Sequence, residues 1–251
     1  MEIAIEIIRE QARQITAFLG LHASPVGVCI VAEPEPQDHS GMRLQQHRYC
    51  QALMKARHGE IVSLDASGIA CPAAAAAFGF RPLPEGLKSG QGLVGFGIVS
   101  DPEVGRKMFE NMPCLPQGEI SHLELFPLEK ASRIPDIIVV EDEVEKLMWL
   151  NLAYLNVTGG KRLTGSTAIL QATCVDSTII PYLENRLNFG FGCYGCREAT
   201  DLSPNETVIG FPVGYLPGVV KALENLSHKA IPNSRAKKVY ENILQRTQGT
   251  T

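Results

Sequence analysis

Short apolar runs alternate with amphipathic stretches along this chain, and the two periods predict strands and helices in turn. Ile3, Ile7, Ile8, Ile15 and Leu19 recur at helical spacing between charged residues, so an amphipathic helix opens the chain. Residues 25–32 then read as a strand, 42–58 as a helix, 60–65 as a strand, 71–78 as a helix, 92–99 as a strand and 101–112 as a helix. Ser100 and Glu103 predict a capping box for the last of these, with Pro102 in its first turn. Residues 119–126 add a strand. Downstream come strand 136–140, helices 142–157 and 174–187, strand 206–213, helix 216–228 and a closing helix over 233–246. Strands alternating with helices predict an α/β fold with helices packed on a mixed sheet.

Parts of this pattern occur twice. Leu93-Val-Gly-Phe-Gly-Ile-Val99, then Pro102 and a helical run, echoes Val208-Ile-Gly-Phe-Pro-Val-Gly214, then Pro217 and another. Pro25-Val-Gly-Val-Cys-Ile-Val31 echoes Pro135-Asp-Ile-Ile-Val-Val140, and Cys71 and Cys174 each open a helix further on. The expectation is a single domain, 1–251, made of two pseudo-symmetric α/β halves from an internal duplication, over 20–115 and 130–230. A pseudo-twofold would bring Cys71 and Cys174 toward a shared axis.

Composition narrows the function classes. The chain has 251 residues, 45% of them hydrophobic, enough to bury a core without disulfide staples. A net charge of −4 gives no footprint for nucleic acid, and no polybasic run points to a membrane surface. Charged residues interrupt the N-terminal apolar positions, which excludes the pattern of a signal peptide. No apolar stretch reaches the roughly 18 residues of a membrane span. The expected location is cytoplasmic, where the seven cysteines are reduced and clustered thiols favour metal binding or catalysis over disulfides.

Two glycine motifs fail on context. Gly90-Gln-Gly92-Leu-Val-Gly95 spells a dinucleotide fingerprint but is read as running into a strand rather than opening a helix. Gly160-Lys-Arg-Leu-Thr-Gly165-Ser166-Thr167 resembles a P-loop whose lysine position holds Ser166. Neither H-E-x-x-H nor G-x-S-x-G occurs.

The chemistry concentrates in cysteines. Cys193-Tyr-Gly-Cys196 is a C-x-x-C among glycines, a spacing that grips one metal or one cluster, and Arg197 beside it would favour thiolate. A helix following it can make only one or two turns before Pro204, which favours a ligand-held loop over a thioredoxin-like dithiol. Cys50 shares a helix face with His47, Met54 and His58. Cys29 lies in an apolar strand and reads as core; Cys114 reads as incidental.

At Pro25-Val-Gly, Arg48-Tyr-Cys50, Cys71, Phe126-Pro-Leu128, Pro135-Asp-Ile, Cys174 and Gly192-Cys193-Tyr-Gly195-Cys-Arg197 the chain resembles the uncharacterised DUF169 (ArCR) family, over about residues 20–230. The resemblance carries no activity with it; it implies that Cys50, Cys71, Cys174 and Cys193 are recurrent positions and that Arg48, Gly195 and Arg197 fall within matching motifs, and these three are the candidates to contact a cofactor. Cys196 joins the metal-binding set through the C-x-x-C, leaving open whether that pair is the working unit. A [4Fe–4S] cluster with a redox or small-molecule-binding role is the first reading. Zinc on the same ligands, a metal-free thiol enzyme or small-molecule binder using Cys193 and Cys196, and a non-catalytic sensor are the alternatives. A small-molecule ligand or a redox partner follows from these readings, and a homodimer is the default for oligomeric state.

Overall fold

The computed structural model describes residues 4–33 and 41–248; Ile3 of the expected opening helix lies outside the described residues. Strands β1 (Val26–Val31), β2 (Met42–Arg43), β3 (Val62–Asp65), β4 (His122–Pro127), β5 (Ile137–Glu143), β6 (Asn188–Gly190) and β7 (Glu206–Pro212) form one seven-stranded sheet, ordered β2-β3-β4-β1-β5-β7-β6. The β2–β3 pair is parallel and the others are antiparallel, so the sheet is mixed. Around it lie α1 (Ile5–Leu19), α2 (Tyr49–Arg57), α3 (Pro72–Ala77), α4 (Glu85–Lys88), α5 (Gln91–Gly95), α6 (Pro102–Glu110), α7 (Val144–Val157), α8 (Ile180–Glu184), α9 (Tyr194–Ala199), α10 (Leu216–His228), α11 (Ala230–Arg235) and α12 (Lys238–Gln248). A π-helix, Ala172–Ile179, runs directly into α8. None of the described helices is long and apolar enough to cross a membrane.

The period of two along each strand divides the core. Val26 and Val28 of β1, Ile137 and Val139 of β5, and Leu123 and Leu125 of β4 face one way, against α2, α3 and the π-helix. Cys29, Ile138, Val140, Ile209 and Phe211 face the other way, against α1, α7 and α10. Both faces are covered, which is why the central strands are nearly continuous apolar runs. Cys29 is therefore core on the face opposite α2, as its strand position implied.

The π-helix has a legible cause. Ser177 and Thr178 hydroxyls donate to the carbonyls of Ala172 and Thr173, each five residues back, at 2.8 Å. Pro181 has no N–H to give the Asp176 carbonyl, and Asn188 Nδ2 donates to it instead at 2.8 Å. The wide helix rests directly on β7 at Gly210, where an added Cβ would lie 1.7 Å from the Ser177 carbonyl oxygen. Tyr49 ties α2 to it, its hydroxyl 2.8 Å from Thr178 Oγ1 and its ring 4.8 Å from that of Phe78.

Several expectations need correction. Residues 92–99 form no strand: α5 occupies their first half, and a short apolar run fits a buried helical turn as well as a strand. The glycines at 90–95 thus open a helix after all, although α4, not a strand, precedes them. Residues 42–48 belong to β2 and a turn, so the helix begins at Tyr49. The closing helix is split into α11 and α12, and the short strand β6 was not foreseen. Asp101, not Ser100, caps α6, its carboxylate accepting from the Glu103 N–H at 2.9 Å.

An internal duplication is not shown. Gly95-Phe96 ends a helix whereas Gly210-Phe211 lies in β7, and α2 and α7, matched by the echo, pack on opposite faces. What does repeat is strand register: Leu128 N–H donates to the Pro25 carbonyl and Val213 N–H to the Asp136 carbonyl, at 2.7 and 3.1 Å.

Candidate functional site

The α2 face of the sheet carries a cavity of about 270 Å³, and Cys50, Cys71, Cys174, Cys193 and Cys196 all line it. They arrive from four places. Cys50 is in the first turn of α2, Cys71 is the N-cap of α3, Cys174 is in the π-helix, and Cys193 and Cys196 frame the start of α9. Arg48 and Gly195 line the same cavity; Arg197 does not. Cys114 is exposed and outside it. The convergence of Cys71 and Cys174 holds even though the symmetry that suggested it is not shown.

Cys193 and Cys196 are the tightest pair, with Sγ atoms 3.1 Å apart and the Cys196 N–H directed at Cys193 Sγ at 3.4 Å. The helix after Cys193 has six residues, within the one or two turns that Pro204 allows. Thr173 Oγ1 lies 3.5 Å from Cys196 Sγ. On the π-helix, the Cys174 thiol points back to the Gln171 carbonyl at 3.6 Å.

Burial governs the charge of these thiols. It holds Cys174 well above the ordinary thiol range, and Cys71, Cys193 and Cys196 add repulsion between neighbouring thiolates. Cys193 is also raised, first by its contact with the Cys196 thiol and then by burial. The bond from Cys193 works to lower Cys196, but contact with Cys50 and burial outweigh it and push the thiol up to about 12. Asp176, pushed up to about 7 mainly by burial, adds no positive field.

Arg48 attracts the thiolate forms of Cys50 and Cys71, but Glu198 is its main partner. Arg48 sits at the rim, donating to the Gly195 carbonyl at 3.1 Å and to Glu198 at 2.7 Å. Arg197 turns away from the thiols and donates to the carbonyls of Phe191, Ser203 and Glu206. Its role is to hold the loop around Cys193, not to make thiolate, which corrects the sequence-based expectation. Behind the cavity, buried Arg57 faces Glu141 at 3.8 Å, Glu206 at 3.6 Å and the carboxylate of Asp201, which also meets His58 at 2.6 Å. This network fastens α2 to β5 and to the segment after α9.

The opposite wall is apolar, built from Leu87, Leu93, Phe96, Ile98, Phe109 and Leu170. Phe96 and Tyr194 are exposed at the mouth with ring centroids 6.4 Å apart. Sequence reasoning missed this wall because Leu93, Phe96 and Ile98 were read as a strand, whereas α5 and the turn after it present them beside Leu87, Phe109 and Leu170. It also missed Gln171, whose left-handed backbone leaves no signature in a non-glycine residue.

The donor set suits a thiolate-bound metal group. A single tetrahedral zinc with Zn–S near 2.3 Å needs sulfurs about 3.8 Å apart. Among the described residues no three cysteine Sγ atoms lie within 4.8 Å of one another. The thiols are therefore too spread for one ion without rearrangement. The one group that does meet that spacing, His22, Asp142 and Glu143, is already served by a cation: Lys146 Nζ lies 2.9 Å from Asp142 and 3.2 Å from His22.

A family model, DUF169, described as uncharacterised ArCR, matches residues 14–222, and the chain belongs to that family. An uncharacterised protein of Methanocaldococcus jannaschii is 28% identical over 222 residues, covering 87% of this chain and 94% of its own. No solved structure matches.

Proposed function

We propose that the cavity is the working site and that its cysteines bind a thiolate-ligated cofactor, a [4Fe–4S] cluster before zinc, in a redox or small-molecule-binding role. The observation that carries this reading is the meeting of five cysteines from four separate chain segments on one cavity wall. Such a cluster would draw its ligands from Cys50, Cys71, Cys174, Cys193 and Cys196, with Arg48 and the Gly195 backbone beside it. When bound, it supplies one-electron chemistry or an open iron for a ligand. The chain's own contribution is a dry, apolar wall, a fixed thiol constellation and a rim arginine whose charge is already paired.

Anaerobic purification tests the reading. About four irons and matching sulfide per chain, with broad visible absorbance, support the cluster. Stoichiometric zinc in colourless protein moves the assignment to zinc, and metal-free protein refutes both.

A second reading rests on the 3.1 Å Cys193–Cys196 contact at the start of a helix, the placement of a redox dithiol. Against it, both thiols are raised, whereas an attacking thiol needs a lowered value. Metal-free protein whose Cys193 alkylates rapidly at neutral pH would favour the dithiol.

A further inference from the structure

The cavity has two unlike halves, and one residue at their boundary has nothing to bond. Gln171 is only 7% exposed and lines the cavity, yet its side-chain amide makes no hydrogen bond to any described residue. Its backbone is left-handed, φ 55° and ψ 35°, and Ile169 two residues earlier is left-handed as well, at φ 58°. Non-glycine residues, β-branched ones above all, adopt this region at a cost. The amide is not sealed in the core: it lines the cavity and offers a donor and an acceptor to whatever occupies it.

We propose that Gln171 is the hydrogen-bonding residue for a small, neutral, ring-bearing ligand with a carbonyl or carboxamide head, bound against the apolar wall. This deepens the reading of the cavity as the working site and rests on it. Size points to one ring: a cavity of about 150 Å³ lined by apolar side chains holds benzene, and this one offers about 270 Å³ to be shared with the thiol-bound group. Phe96 and Tyr194, an exposed aromatic pair lining the cavity, offer ring faces to an aromatic ligand. Charge points to neutrality. An anion would find Arg48 at the rim already committed to Glu198. A cation would have to leave water for a wall of leucines, isoleucine and phenylalanine.

Three isosteric probes separate these cases: benzamide, benzoate and benzamidine, titrated by calorimetry into anaerobically purified full-length protein. Benzamide is expected to bind most tightly, and Gln171→Leu to weaken it about tenfold. Gln171→Glu, which keeps the shape but loses the amide donor, guards against a folding defect in the leucine variant and should weaken benzamide similarly. Failure of benzamide to bind wild type overturns the proposal, as does equal binding of either ion or undiminished binding to both variants. Iron and zinc are measured on the same samples. Metal-free wild type with Gln171-dependent benzamide binding sinks the cofactor reading alone. Metal-loaded protein indifferent to benzamide sinks this inference alone.

Discussion

Replacing Glu141 by Gln should remove the loss of stability that ionising this carboxyl causes between acid and neutral pH. Arg57 carries one positive charge and faces three carboxylates, Glu141, Glu206 and Asp201. Asp201, half exposed and bonded to His58, is held below its usual range, burial being outweighed by its partners. Glu141 is the most enclosed, and burial, opposed by Arg57, pushes its carboxyl from 4.5 up to about 7. A raised acid means that the folded state binds more protons than the unfolded chain across that window. The contribution of Glu141 to stability is thus fullest below pH 4.5 and is lost as pH rises to about 7. The difference of about 2.5 units corresponds to about 3 kcal/mol at 1.36 kcal/mol per unit. Gln keeps the shape and cannot ionise. Urea unfolding of both proteins at about pH 5 and about pH 8, with the slope checked for constancy, reads the effect. The advantage of Glu141→Gln over wild type should grow by roughly 3 kcal/mol from the lower to the higher pH. Titrations common to both proteins cancel. A difference independent of pH would mean that Glu141 is already ionised in the fold, and the assignment of the retained proton to it would be wrong.

Further outcomes can be checked separately. Cys174→Ser should lose bound iron or zinc in elemental analysis while its circular dichroism stays native; full retention of metal removes Cys174 from the ligand set. Gly210→Ala forces a methyl against the Ser177 carbonyl oxygen and should cost on the order of 2–4 kcal/mol in urea unfolding, since backbone rather than a flexible side chain must move. Arg197→Ala removes the donor to three carbonyls and should cost about 1–3 kcal/mol. It should also speed Cys193 alkylation, whereas an unchanged rate would deny Arg197 its positioning role.

Some of this was open to reading in the chain itself. Continuous apolar runs in 25–31 and 136–140 located the central strands, because each is buried on both faces and must be apolar throughout. The cysteines could be sorted because their neighbours differ: Cys29 sits within Val26–Val31, whereas Cys71 and Cys193 precede helix starts. The π-helix was not legible. It follows from hydroxyls, a proline and the Asn188 amide acting together, and Asn188 lies 12 residues beyond the carbonyl that it serves. The duplication misled for a related reason. Gly-Phe dipeptides at 95 and 210 look alike, but one ends a helix and the other lets a π-helix lie on a strand.

The cavity's charge balance gives the cofactor reading its most direct consequence. Five thiols share one wall, Arg48 is neutralised by Glu198, and Arg197 points at carbonyls. Without a cation among them, Cys174, Cys193 and Cys196 stay protonated at neutral pH, because burial and mutual contact oppose thiolate at each. A metal can bind only to thiolates, so loading must expel those protons. Zinc added anaerobically to metal-stripped protein in weak buffer should therefore release more than one proton for each ion bound, read by a pH indicator. Affinity should then fall steeply on acidification, by more than tenfold per pH unit, since more than one proton competes with each ion. Binding without proton release would show thiolates already present, and the assignment of protonated thiols to the empty cavity would be wrong.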